Sequence, residues 1–262
     1  MPRRPAGSEA ASVWLRRSQA HREPPPAFSR EEITRAAVDL ADRDGLAAVS
    51  MRRIAERIGS APTSLYWYVA TKDEIYELMV DAVIGEIELP GRPSGDWRAD
   101  LSSIASVTRA TLARHPWLAQ LGIHPIPGPA TLRYGEIALS SLAGLGLDEA
   151  SQVNVLAAVN NYIFGFLGRE AAWQNLIRRT RTTEAGWDSG LSDLAAASAG
   201  QRAAAPVPLT ARMNLTSDES FAFGLECLLD GIVLRVAPPS GRPRAQRGPA
   251  TADPPGRAGG HQ

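Results

Sequence analysis

The sequence predicts an all-α fold, and three observations carry that prediction. Apolar residues recur at the i, i+3, i+4, i+7 spacing that lines one face of a helix. Alternating β-branched runs bounded by turns, the signature of strands, are absent from the sequence. A Ser or Thr followed three residues later by Glu can satisfy a helix's first N–H groups reciprocally, and such pairs stand at Ser29/Glu32, Thr71/Glu74 and Thr216/Glu219.

The first helix starts behind Ser29, just after Pro24–Pro26, whose ring-locked backbone cannot sit inside a helix. Ile33, Ala36, Ala37, Leu40 and Ala41 form its inward stripe, and Gly45 ends it. Ser50 caps a short second helix with Met51, Ile54, Ala55 and Ile58 inward, and Gly59 stops it. Pro62 fits the first turn of a short third helix, where a missing N–H costs nothing; Leu65 and Val69 point inward. Thr71 opens a fourth helix, 72–88, with Ile75, Leu78, Met79, Ala82 and Val83 inward.

A Pro- and Gly-rich break at 90–95 interrupts the pattern. Beyond it helices are predicted at 97–114, 116–122, 129–145 and 148–177, then a polar loop with a variable helix over 180–215. A last helix, 217–236, carries Phe221, Leu225, Leu228, Leu229, Ile232 and Val236 on one face. Phe223, Cys227 and Val233 add apolar character off that face, which predicts burial on more than one side. Residues 1–27 set five arginines against two glutamates and read as a disordered basic arm. Residues 238–262, with six prolines, four arginines and one acid, read as a disordered tail. Two helical units remain, 28–88 and 96–237.

Lys plus Arg and Asp plus Glu are 28 each, so a globally basic binder is excluded and any nucleic-acid surface is a local patch. One cysteine, Cys227, excludes an intramolecular disulfide framework and a cysteine-based zinc cluster. The four histidines form no H-E-x-x-H pair, and no metal or cofactor is expected. No run approaches the roughly 18 apolar residues of a membrane span, and a cytoplasmic location is expected. Lys72 is the only lysine.

Within 28–88, the stretch Ser50–Val69 reads as helix, glycine turn, helix, the arrangement of a helix-turn-helix. Its second helix would present Pro62, Thr63, Tyr66 and Trp67 outward, the first two at the end that enters a major groove. Exposed rings of this kind can meet thymine methyls and sugars, and a tyrosine hydroxyl can bond a phosphate or base edge. Core or interface packing of Tyr66, Trp67 and Tyr68 is equally compatible with these residues alone.

Ser50-Met-Arg-Arg-Ile-Ala-Glu-Arg-Ile-Gly59, Pro62-Thr-Ser-Leu-Tyr-Trp-Tyr-Val69 and Thr71-Lys-Asp-Glu74 together resemble the tetracycline-repressor (TetR) family of DNA-binding transcriptional regulators over residues 29–86. The resemblance implies an N-terminal three-helix DNA-binding domain and a C-terminal helical ligand-binding and dimerisation domain. It places Pro62, Thr63, Ser64, Tyr66 and Trp67 in the recognition helix, and Ser50, Tyr68 and Lys72 at backbone phosphates. Lys72 has its own physical rationale: a helix N-terminus already favours an anion, and a lysine there adds charge. Arg52 is a further candidate contact, with a solvated helix face as the alternative.

In the second unit, His115-Pro-Trp-Leu, Gly128-Pro129, the Gly144–Gly146 turn and Phe223-Gly-Leu-Glu are similar to the same family's ligand-binding half. This implies a homodimer built on helices 148–177 and 217–236, a palindromic double-stranded operator, and a small-molecule effector. Trp117, Leu121, His124, Tyr134, Asn161, Phe164 and Trp173 are the candidate lining residues. The segment 119–125 lacks the histidine pattern that in tetracycline repressors holds drug with magnesium, so no metal is assigned. Two other readings compete: a helical enzyme acting on a small apolar substrate, and a DNA-binding regulator without ligand control. No nucleophile elbow, phosphate loop or Cys–His pair supports the enzyme.

Overall fold

The computed structural model describes residues 12–14, 28–121, 127–183, 185–187, 189–190, 193 and 216–236, and among them there is no strand. The helices are α1 (Arg30–Asp44), α2 (Met51–Arg57), α3 (Pro62–Leu65), α4 (Lys72–Gly85), α5 (Trp97–Ala113), α6 (Pro129–Ser140), α7 (Glu149–Thr180) and α8 (Asp218–Val236). Two 3₁₀ turns, Leu46–Ala48 and Pro116–Gln120, join α1 to α2 and follow α5.

The capping chemistry sets the register of the N-terminal unit. Ser29 and Glu32 make both bonds of the capping box at α1. Thr71 accepts from Glu74 N at α4, while the Glu74 carboxylate reaches one residue further back, to Ala70 N at 2.6 Å. The inward stripes then meet: Ile33 and Ala37 of α1, Ile54 of α2, Leu65 of α3, Val69, and Ile75 and Met79 of α4 are all sealed from solvent. Full burial of a side chain such as Leu65 contributes about 1.5–3 kcal/mol. Arg53 to Asp44 (2.5 Å) and Arg57 to Asp39 (2.7 Å) staple α2 across α1. Gly59, at φ +69°, makes the turn between α2 and α3 in a backbone region that side chains rarely adopt.

In the C-terminal unit α5, α6, α7 and α8 pack around Leu101, Ile104, Leu112, Ala138, Ile163, Phe166 and Leu229. Arg109 of α5 ties two of these helices: its guanidinium lies over the rings of Phe166 and Phe221 and pairs with Glu170 (2.5 Å) and Asp218 (2.8 Å). Burial works against that charge, but the two carboxylates outweigh it and raise its pKa. Arg98 joins α5 to α8 through Glu226 and Asp230.

The two units meet along α4 and α6. Asp81 of α4 accepts from Ala130 N (3.2 Å), Thr131 N (2.8 Å) and Thr131 Oγ1 (2.8 Å), so it caps α6 from another helix. One turn earlier, Glu77 accepts from Ser12 Oγ at 2.5 Å and Val13 N at 3.0 Å. Val13 is buried, and Trp14 lies where a Cβ on Gly128 would overlap both its ring and the Asp81 carboxylate. Ser12–Trp14 therefore depart from the disorder expected of residues 1–27. The remainder of that arm, and the tail 238–262, lie outside the described residues.

Several boundaries differ from the sequence reading. The helix expected at 116–122 is a five-residue 3₁₀ turn, and that expected at 129–145 ends at Ser140. Helix 148–177 runs on to Thr180. At α8 the cap is Ser217, whose Oγ accepts from Ser220 N at 3.1 Å, one residue beyond the expected Thr216. Ala82 faces solvent, and Asp81 and Ile84 take inward places on α4.

Candidate DNA interface and effector cavity

The helix-turn-helix is built from short elements whose buried residues force their neighbours outward. Leu65 and Val69 are wholly buried, four apart, and Tyr66 and Trp67 between them are turned to the surface. Tyr66 is 55% exposed and Trp67 37% exposed. Pro62 and Thr63 are exposed at the start of α3, and Ser64 is half-buried. The recognition element is one helical turn followed by a looser turn, shorter than the sequence suggested.

The proposed phosphate contacts fall in three different situations. Ser50 Oγ accepts from Arg53 N at 3.3 Å as the cap of α2, a bond that leaves its own proton uncommitted. Lys72 is exposed at the first position of α4, with its Nζ 5.2 Å from the Tyr76 ring centroid. Tyr68 is half-buried: its hydroxyl donates to the Phe28 carbonyl at 2.6 Å and its ring packs on Phe28 at 5.4 Å. That proton serves the fold, so Tyr68 meets a phosphate only if the Phe28 bond opens. Arg52 faces solvent beside Glu56 at 3.3 Å, an exposed pair that contributes little.

The C-terminal unit contains a cavity of about 570 Å³. Its walls come from the end of α5 (Leu112), the following turn (His115, Leu118), α7 (Phe164, Trp173) and the start of α8 (Ser217). Aromatic and aliphatic walls with a few polar groups are the usual makeup of a small-molecule site. Of the expected lining residues, the structure brings Phe164 and Trp173 together on that wall.

The others lie elsewhere. Trp117 is core, 1% exposed, with its indole N–H on Asp42 Oδ1 at 2.7 Å. Leu121 is half-buried against the core, away from the cavity walls. Tyr134 is buried between helices: it accepts from Thr108 Oγ1 (3.4 Å) and donates to Asn160 Oδ1 (2.9 Å). Burial pushes the Tyr134 phenol above its ordinary pKa, so it keeps the proton it donates. Asn161 is exposed, because the inward amide of α7 is its neighbour Asn160; a one-residue shift on a helix turns a side chain by about 100°. His124 lies outside the described residues.

Sequence reasoning missed the polar joint beside the cavity. His115 is buried, with Nδ1 2.8 Å from Asp42 Oδ1 of α1 and Nε2 3.2 Å from Glu86 Oε2 at the end of α4. The pattern His-Pro-Trp marked the place, but partners 73 and 29 residues away carry no local signal.

No group of three or more His, Cys, Asp or Glu able to hold a metal ion occurs among the described residues. No helix among them is long and apolar enough to cross a membrane.

Residues 33–79 match the family model described as bacterial regulatory proteins, tetR family, and residues 89–236 match the tetracyclin repressor-like C-terminal domain. An HTH-type transcriptional regulator of Saccharopolyspora erythraea is 37% identical over 183 residues, covering 70% of this chain and 75% of that protein. The HTH-type transcriptional repressor DrrR1 of Streptomyces coeruleorubidus is 33% identical over 228 residues, covering 86% of this chain and 84% of its own. Among solved structures, the Streptomyces coelicolor TetR family protein ActR in complex with actinorhodin superposes with a TM-score of 0.67 at 22% identity, covering 80% of this chain and 97% of that one.

Proposed function

This chain belongs to the TetR family of DNA-binding transcriptional regulators, and from that premise we propose that it is a homodimeric repressor released from a palindromic operator by a small molecule. The observation that carries the DNA side is the exposure of Tyr66 and Trp67 between two wholly buried residues of the recognition element. Pro62, Thr63, Ser64, Tyr66 and Trp67 read base edges and sugars, while Ser50 and Lys72 hold phosphates.

The dimer follows from the surface of α7 and α8. Phe223 is 74% exposed and Leu234 80% exposed in the single chain, alongside exposed Cys227 and Val233. On α7, Asn161 and Gly165 share an exposed face, and nothing lies within 4 Å of a Cβ built on Gly165 or Gly168. Apolar surface of this kind marks an interaction site, and small residues allow backbones to approach.

The effector occupies the cavity bounded by Phe164 and Trp173. It acts by preferring one dimer shape, because only a differential affinity can alter the affinity for DNA. Helix α4 carries Lys72 at its DNA end and Asp81 on α6, so its tilt sets the separation of the two recognition elements. The chain binds its effector without turning it over.

Selection of genomic fragments by the purified full-length protein, at two salt concentrations, tests this function. Saturable and selective binding by a dimer is expected. A screen against the selected fragment follows, with actinorhodin as the first compound. An effector recovered unchanged while DNA affinity falls supports the reading; binding indifferent to sequence overturns it.

A further inference from the structure

We propose that occupancy of the cavity is read by the DNA-binding unit through His115, and that Asp42 and Glu86 are the receiving groups. The inference rests on the effector-cavity reading above and adds the route of its regulation.

The walls of the cavity come from the end of α5, the 115–120 turn, α7 and the start of α8. Neither α4 nor α6 contributes a wall residue, so the Asp81 cap on α6 cannot sense an occupant directly. The 115–120 turn has two faces. His115, Leu118 and Ala119 meet the cavity. On the other side, His115 Nδ1 and Trp117 Nε1 converge on one oxygen, Asp42 Oδ1 of α1, at 2.8 and 2.7 Å. The second nitrogen of the same imidazole sits 3.2 Å from Glu86 Oε2, directly after α4.

His115 therefore lines the cavity and, through its two ring nitrogens, meets the helix that supports the recognition element and the end of the helix that links the two units. The site is too tight for the ring to move alone. His115 is 6% exposed, Trp117 1% exposed, and Pro116 between them fixes one backbone angle. An occupant that displaces the turn must stretch or break bonds to Asp42 and Glu86 together. The imidazole itself is buried, so losing a partner there is costly.

The test fills the cavity without an identified effector. In full-length protein carrying Cys227→Ser, Ala171→Cys is placed on the α7 wall and alkylated with N-ethylmaleimide. Affinity for a selected genomic fragment is measured before and after alkylation, with His115 intact and as His115→Gln. Alkylation is expected to weaken DNA binding about tenfold or more with His115 present, and under about twofold in His115→Gln. Asp42→Ala, which removes the shared acceptor, provides a second variant if His115→Gln does not fold, and the same loss of response is expected. An equal fall with and without these groups overturns the His115 route and leaves the cavity reading standing. No fall in any protein overturns both, since a filled cavity then sends no signal.

Discussion

The Tyr68 hydroxyl donates to the Phe28 carbonyl at 2.6 Å, joining the end of the recognition element to the residue two before α1. The bond spans 40 residues of sequence. Family likeness alone would give that hydroxyl to a phosphate. Tyr68→Phe separates the two roles. Loss of about 1 kcal/mol of stability in thermal unfolding, with DNA affinity nearly unchanged, is expected from a structural bond. A drop in DNA affinity at unaltered melting temperature would assign the hydroxyl to the operator.

Tyr66 is expected to behave in the opposite way. Over half its surface is exposed, so its removal costs the fold little. Tyr66→Ala should leave the melting temperature within a degree or two and weaken specific binding by roughly 1–3 kcal/mol, with relaxed preference at one or two base pairs. Fluorescence anisotropy on the operator and on single-base variants reads both. An unfolded Tyr66→Ala protein would mean that the ring is core.

Lys72 carries a charge and no base-reading geometry. Lys72→Ala should therefore weaken binding to every sequence alike and reduce the slope of log K against log salt by about one. The measurement is a salt titration on operator and on random DNA. A loss confined to the operator would contradict a phosphate role.

Much of this architecture was legible in the sequence, and the reasons are local. Ser29 with Glu32, Ser50 and Thr71 cap their helices within one turn, Pro62 opens α3 at its first position, and all fall where the sequence put them. The outward direction of Tyr66 followed from the inward direction of Leu65 and Val69. Legibility failed where the deciding partner is remote. Trp117 reads as a cavity wall in the sequence because nothing near it shows that its N–H meets Asp42, 75 residues away. Asn161 is the expected lining residue, yet the inward amide is Asn160, and adjacent asparagines on an apolar helix are told apart only by the position of Tyr134. The place of Ser12–Trp14 depends on Glu77, and no periodicity in an Arg- and Pro-rich arm announces it.

Asp81 makes three bonds to the start of α6 and is 7% exposed, so its removal leaves two backbone N–H groups and a hydroxyl without their acceptor. Asp81→Ala should cost about 1–3 kcal/mol in unfolding. It should also raise hydrogen exchange at Ala130 and Thr131 before it does so in α1. Uniform exchange throughout the chain would show that the cap has no local role.

The exposed face of α8 makes the last prediction, and it is about assembly. Phe223 and Leu234 are almost fully open in the single chain, yet their helix also buries Phe221, Leu225 and Leu229 inward. A helix apolar on two sides needs two partners, and only one of them is among the described residues. Phe223→Asp puts a charge into the second contact without touching the first. The fold, read by circular dichroism and melting of a dilute sample, should survive, while light scattering should report a monomer. Operator binding should then become weak and strongly dependent on protein concentration, because two recognition elements no longer arrive together. A Phe223→Asp protein that stays dimeric would move the interface off this face of α8.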